Sequence, residues 1–145
     1  MKLSVLDQSP IRAGGTPADA IRETIDLARH CDRLGYHRYW VAEHHASDGL
    51  AGTAPEILIT RIAAETRHLR VGSGGVMLSH YSALKVAEQF RVLEALYPGR
   101  IDLGLGRAPG SDGRTAMALQ TGPYAHGIEQ FPHRIADLID WLGDG

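Results

Sequence analysis

Four times along this chain a short β-type run is followed by a polar or glycine-rich bend and then by a helix-periodic stretch. The runs cover residues 3–6, 39–42, 69–72 and 101–105, so they begin roughly 32 residues apart. That rhythm belongs to βα units, in which each crossover helix returns the chain to start a parallel strand. The runs are apolar without strict alternation, as expected of strands covered on both faces. The punctuation agrees. Thr16-Pro17 offers an N-cap and a proline at the first helical position. Ile21, Ile25, Ala28, Cys31 and Leu34 then form one stripe at three- and four-residue steps, and Gly35 stops the helix. Pro55 opens a second helix bearing Leu58, Ile59 and Ile62, which runs to about Thr66. Ser82 caps a third with Leu84, Ala87, Phe90, Leu93 and Leu96, ended by Pro98-Gly99. A last helix spans about 128–142, with Phe131, Ile135, Leu138 and Leu142.

Two architectures fit an α/β chain of this plan, a small doubly wound sheet or part of an eight-stranded barrel. In both, chemistry gathers at the carboxyl ends of the strands. A complete (β/α)8 barrel needs about 250 residues. This chain has 145, four βα units in a single domain over residues 1–145, and so would be half of a TIM barrel. Half a barrel exposes two sheet edges, which predicts a homo-oligomer in which copies cover each other's edges, unless the chain is a fragment. Fifteen basic against 17 acidic side chains leave a net charge of −2, so neither nucleic acid nor an anionic membrane is expected as a partner. No apolar run reaches the ~18 residues of a membrane helix, and the opening residues do not form a signal peptide. One cysteine forms no internal bridge, which points to a reducing cytoplasm.

The unusual residues fall where such a sheet puts its chemistry: Asp7-Gln8-Ser9, Glu43-His44-His45, Ser73-Gly74-Gly75 and 104–107. In extended backbone His44 and His45 point to opposite sides, so at most one faces the mouth, where it could act as a general base or hydrogen-bond donor. The plainer reading is a packed loop histidine. Zinc is not expected, because two adjacent histidines lack a well-spaced third ligand, with His30 and His80 only speculative additions. His37, His68, His126 and His133 read as surface or helix-end residues, and Cys31 as inert filling. Gly72-Ser73-Gly74-Gly75 reads either as a tight turn after the strand or as backbone left open to a flat ligand. Gly104-Leu105-Gly106-Arg107-Ala108-Pro109-Gly110 fails the dinucleotide fingerprint, since Pro109 stands where the last glycine belongs. Arg107 suits a phosphate or carboxylate, with a surface ion pair as the alternative.

In order and spacing, Leu6-Asp7-Gln8-Ser9-Pro10, Tyr39-Trp40-Val41-Ala42-Glu43-His44-His45, Val71-Gly72-Ser73-Gly74-Gly75-Val76-Met77-Leu78 and the block from Pro98 to Gly110 resemble the amino-terminal half of bacterial-luciferase-like flavin-dependent monooxygenases. The resemblance fades after about Leu119. It implies a TIM barrel, reduced FMN delivered by a separate flavin reductase, molecular oxygen as co-substrate and an organic small molecule as substrate. Some relatives use a deazaflavin and transfer hydride instead. By the same resemblance His44 is the acid or base near the flavin, with Glu43 and His45 as its supports. Ser73, Gly74 and Gly75 match a third-strand bulge with a non-prolyl cis peptide against the flavin ring. Gly106 faces the flavin where luciferase has a reactive cysteine, and Arg107 lies on the phosphate side. The rival expectation is a non-catalytic half-barrel that serves as an assembly module.

Overall fold

The computed structural model describes residues 1–108, 112–119 and 128–143. Pro109 and Gly110 of the fourth block, and His126, lie outside these. β1 (Ser4–Asp7), β2 (Arg38–Val41), β3 (Arg70–Met77) and β4 (Ile101–Gly106) form one parallel sheet in the order β1-β2-β3-β4. α1 (Pro17–Arg33), α2 (Pro55–Glu65) and α3 (Ala83–Leu96) connect them, and α4 (Gly113–Leu119) and α5 (Phe131–Leu142) follow. Consecutive strands are spatial neighbours joined by helices, the arrangement of successive units in a (β/α)8 barrel. Among the described residues no helix is long and apolar enough to cross a membrane.

The helix boundaries follow the sequence. Thr16 caps α1 in a full capping box with Asp19, and Pro17 occupies the first turn. Gly35 has φ +74°, the left-handed conformation that stops a helix at least cost in glycine. Asp32, near the end of α1, accepts the backbone N–H groups of Arg67, His68 and Leu69 at 2.8–2.9 Å and so fixes the approach to β3. One sheet face carries Tyr39, Val41 and Val71, all fully buried against Leu58, Ile59 and Ile62 of α2 and Phe90 and Leu93 of α3.

Three expectations need correction. The stripe of α1 holds at Ala28 and Cys31, but its earlier buried positions are Ala20 and Thr24, with Ile21 and Ile25 only half-buried and Leu34 exposed. Small residues on the inner face let the helix backbone approach the sheet, while Leu34 is already the C-cap as the chain turns away. Leu84 and Leu96 of α3 are exposed, because the face that meets the sheet runs through Ala83, Val86, Ala87, Phe90 and Leu93. Ser73-Gly74-Gly75 is no turn: β3 continues through it to Met77, with its pairing to β4 shifted between Ser73 and Val76. The long bend after β4 also contains α4, capped where Asp112 accepts the N–H of Thr115 at 2.8 Å.

The other sheet face carries Leu6, Trp40, Gly72 and Asp102, in register across the strands. Leu6 is 57% exposed there. At the amino end of this face Asp102 accepts from Nε of Arg38 and Nε of Arg70, both at 2.9 Å, tying three strands together. Above that layer the strands crowd. A Cβ on Gly72 would stand 2.5 Å from the Asp102 carbonyl oxygen, and one on Gly104 2.2 Å from that of Ser73. Only glycine permits this approach.

Candidate functional site

All four strands point the same way, so their carboxyl ends share one rim. The β1 end is held by a buried polar network. Asp7 accepts from the Tyr39 hydroxyl at 2.5 Å and from the Ser9 N–H at 2.8 Å, and the Thr24 hydroxyl donates to Ser9 Oγ at 2.8 Å. Burial, reinforced by the Asp7 carboxylate, pushes the Tyr39 phenol well above its ordinary range, so it stays a donor. The Ala42 N–H donates to the Asp7 carbonyl at 2.9 Å and carries the β1 end onto the β2 end.

Beyond Val41 the chain leaves the sheet, and Glu43, only 1% exposed, turns inward. Its Oε2 accepts the N–H of Met77 at 2.9 Å, and its Oε1 meets the Tyr81 hydroxyl at 2.6 Å and His45 Nε2 at 2.7 Å. One carboxylate thereby joins the β2 exit, the last residue of β3 and the segment after it. The His44 N–H is tied to the Gly52 carbonyl at 2.9 Å, while its ring Nδ1 is buried with no hydrogen-bond partner. Met77 is in register with Gly106, where an added Cβ would sit 2.9 Å from the Met77 sulfur. The Ser79 hydroxyl donates to the Arg107 carbonyl at 3.3 Å, and the Arg107 side chain is exposed. The stretches 40–45, 72–77 and 104–107 therefore converge on one rim.

The glycine bulge has two parts. Ser73 is fully buried; its hydroxyl donates to the Gly104 carbonyl at 2.8 Å and accepts the Gly104 N–H at 3.1 Å, so it braces β3 against β4. Gly74 is exposed and Gly75 half-buried, and the peptide between them is cis. A Cβ on Gly74 would reach 3.0 Å from Leu6 Cδ1 and 3.1 Å from Trp40 Cβ, which places it on the open sheet face beside those side chains. This is a flat stretch of backbone with no side chain of its own. Among the described residues no cluster has the composition of a metal site.

The sequence singled out Glu43, His44 and His45 but not Tyr81 or the Met77 amide, which complete the polar cluster. Tyr81 lies 38 residues from Glu43, and no local spacing marks it.

The family model of the luciferase-like monooxygenases matches residues 1–142. The chain belongs to the luciferase-like monooxygenase family. Within it, the N-acetyl-S-alkylcysteine monooxygenase of Bacillus subtilis (strain 168) is 51% identical over 99% of this chain and 43% of its own length. The crystal structure of apo-MsnO8 superposes with TM-score 0.91 at 54% identity, over 98% of this chain and 42% of that one. The oxygenating constituent of 3,6-diketocamphane monooxygenase from Pseudomonas putida, a type II Baeyer–Villiger monooxygenase in complex with FMN, shares the fold with TM-score 0.82 at 18% identity, over 95% of this chain and 38% of that one. This luciferase-like chain thus spans less than half the length of the relatives it matches.

Proposed function

We propose that the chain forms the flavin-facing half of an oxidoreductase site, working as a monooxygenase that uses reduced FMN and molecular oxygen on an organic small molecule. The observation that carries this reading is the glycine backbone of Gly74 and Gly75, exposed at Gly74 and half-buried at Gly75, on the same rim as His44. A planar tricyclic ring needs a wall from which no side chain projects, and that backbone offers one. The FMN complex of the Baeyer–Villiger relative and the name of the Bacillus relative support the same cofactor and substrate class. When bound, FMN would supply the oxygen activation, and the protein would supply position, enclosure and proton control.

The assignments to this chain's residues follow from their surroundings. An imidazole on this rim can hold or release a proton toward a bound molecule, so His44 takes the acid–base role. Glu43 and His45 hold the segment that carries it. Gly74, Gly75 and Gly106 form the wall, with Ser73 behind it as the brace. The exposed Arg107 guanidinium suits a phosphate through its planar fork of donors. A separate flavin reductase as electron source, and a second copy of the chain across the free edges of β1 and β4, complete the proposed partners.

The test is a fluorescence titration with oxidised FMN, reduced FMN and a deazaflavin. Saturable binding of FMN in preference to the deazaflavin is the expected result. His44→Ala should keep that binding and slow substrate oxidation by about a hundredfold or more. Preference for the deazaflavin would move the reading to hydride transfer. Binding of neither would overturn it in favour of a non-catalytic half-barrel that serves as an assembly module.

A further inference from the structure

Three distances at the rim assign a proton. The Tyr81 hydroxyl lies 2.6 Å and His45 Nε2 2.7 Å from the same oxygen, Glu43 Oε1, while Tyr81 and His45 are 3.5 Å from each other. The Glu43 carboxylate oxygen only accepts, so both groups donate to it and His45 carries its hydrogen on Nε2, while the 3.5 Å between Tyr81 and His45 lies at the outer limit of a hydrogen bond. Tyr81 has only one proton to give. Burial, with the Glu43 carboxylate beside it, pushes the pKa of the phenol up, so it stays protonated and remains a donor. The other carboxylate oxygen is occupied by the Met77 N–H. Arg134 of α5 donates to the Tyr81 carbonyl and anchors the tyrosine from its backbone side. The His80 ring stands edge-on to His45 and to Tyr81, with centroids at 6.4 and 6.3 Å, and limits sideways movement of both.

We infer that Tyr81 is a positioning residue: together with Glu43 it clamps His45 with its hydrogen on Nε2, and so fixes the backbone on both sides of His44. This rests on the acid–base assignment of His44 made above. The groups that face His45 are Glu43, Tyr81 and His80, with His44 adjacent in the chain. Glu43 is buried and His45 and Tyr81 are half-buried, so the hydrogen bonds of the clamp slow exchange of its protons with water until it opens.

The experiment observes the His45 ring N–H by 15N–1H correlation in the histidine-labelled chain, with no flavin present. In the wild type the Nε2–H should be visible and slow to exchange. In Tyr81→Phe, which keeps the ring and loses one hydrogen bond, its exchange should speed up by about tenfold, while backbone amide shifts away from the rim stay in place. Glu43→Gln should remove the protection altogether, and Tyr81→Phe carries the test alone if that variant does not fold. A His45 ring protonated on Nδ1 alone in the wild type, or equal exchange in wild type and Tyr81→Phe, would overturn the inference. Neither result depends on flavin. A wild type that shows the protected proton yet binds no FMN would keep the clamp and sink the functional proposal instead.

Discussion

Glu43 concentrates more of the rim's bonding than any neighbour, since three donors from three separate segments end on its two oxygens. Truncation to alanine would leave those donors buried without an acceptor, and an unmet buried donor costs far more than a met one contributes. Glu43→Ala should therefore lower stability by about 3 kcal/mol, read from denaturant midpoints. A loss below about 1 kcal/mol would mean that water replaces the carboxylate and that the site is wetter than its burial indicates. His44 should behave in the opposite way. Its Nδ1 bonds to nothing, so His44→Ala should cost the fold little and show its effect in chemistry. Local sequence brought both residues to notice, because a charged tripeptide directly after an apolar strand is conspicuous. It could not rank them, since rank depends on Met77 and Tyr81, which reach Glu43 only after β3 has paired.

Among the elements, the β3–β4 pair has least room. A Cβ on Gly104 would lie 2.2 Å from a backbone oxygen, so Gly104→Ala must part the strands and should destabilise by about 2 kcal/mol or more. Gly49→Ala is the matched control: nothing lies within 4 Å of a Cβ there, and the midpoint should hardly move. The Asp102 layer carries a pH signature. Burial by itself would raise its carboxyl, but the bonds and charges of Arg70 and Arg38 outweigh burial and hold it below the ordinary carboxylate range. A carboxyl depressed in the folded state contributes stability above its unfolded value, about 4, and that contribution is lost as pH falls through the folded value. The midpoint difference between wild type and Asp102→Asn should thus be largest near pH 6 and shrink below about pH 4. A difference that grows in acid would contradict the ion-pair assignment. The helices were legible from caps and periodicity, as Thr16, Ser82 and Gly35 show. The stripe of α1 was right at Ala28 and Cys31 but one position off in the first turns, because hydrophobicity favours Ile21 and Ile25, whereas close packing on a sheet selects Ala20 and Thr24.

At the scale of the whole molecule, the outer edges of β1 and β4 have no strand beside them among the described residues, and Leu6 stands 57% exposed on the uncovered face. Parallel edges with free N–H and C=O groups seek another parallel segment. Light scattering should therefore give twice the chain mass, and Leu6→Lys should shift the population toward monomer; a monodisperse wild-type monomer would refute pairing between copies. The order of strands and helices, the caps and the position of the unusual residues at the strand ends were all readable from residues 1–108, because each is set by neighbours within one βα unit. The continuation of β3 through Ser73, Gly74 and Gly75 was not, since glycine-rich sequence reads as a turn until a partner strand supplies its hydrogen bonds. Nor was the Glu43–Tyr81–His45 cluster. Its members lie up to 38 residues apart, and only the parallel register that sets Met77 beside Gly106 carries the segment after β3 over the end of β2. Short-range preferences determine the units of this protein, and contacts closed across the sheet determine which side chains meet on one carboxylate.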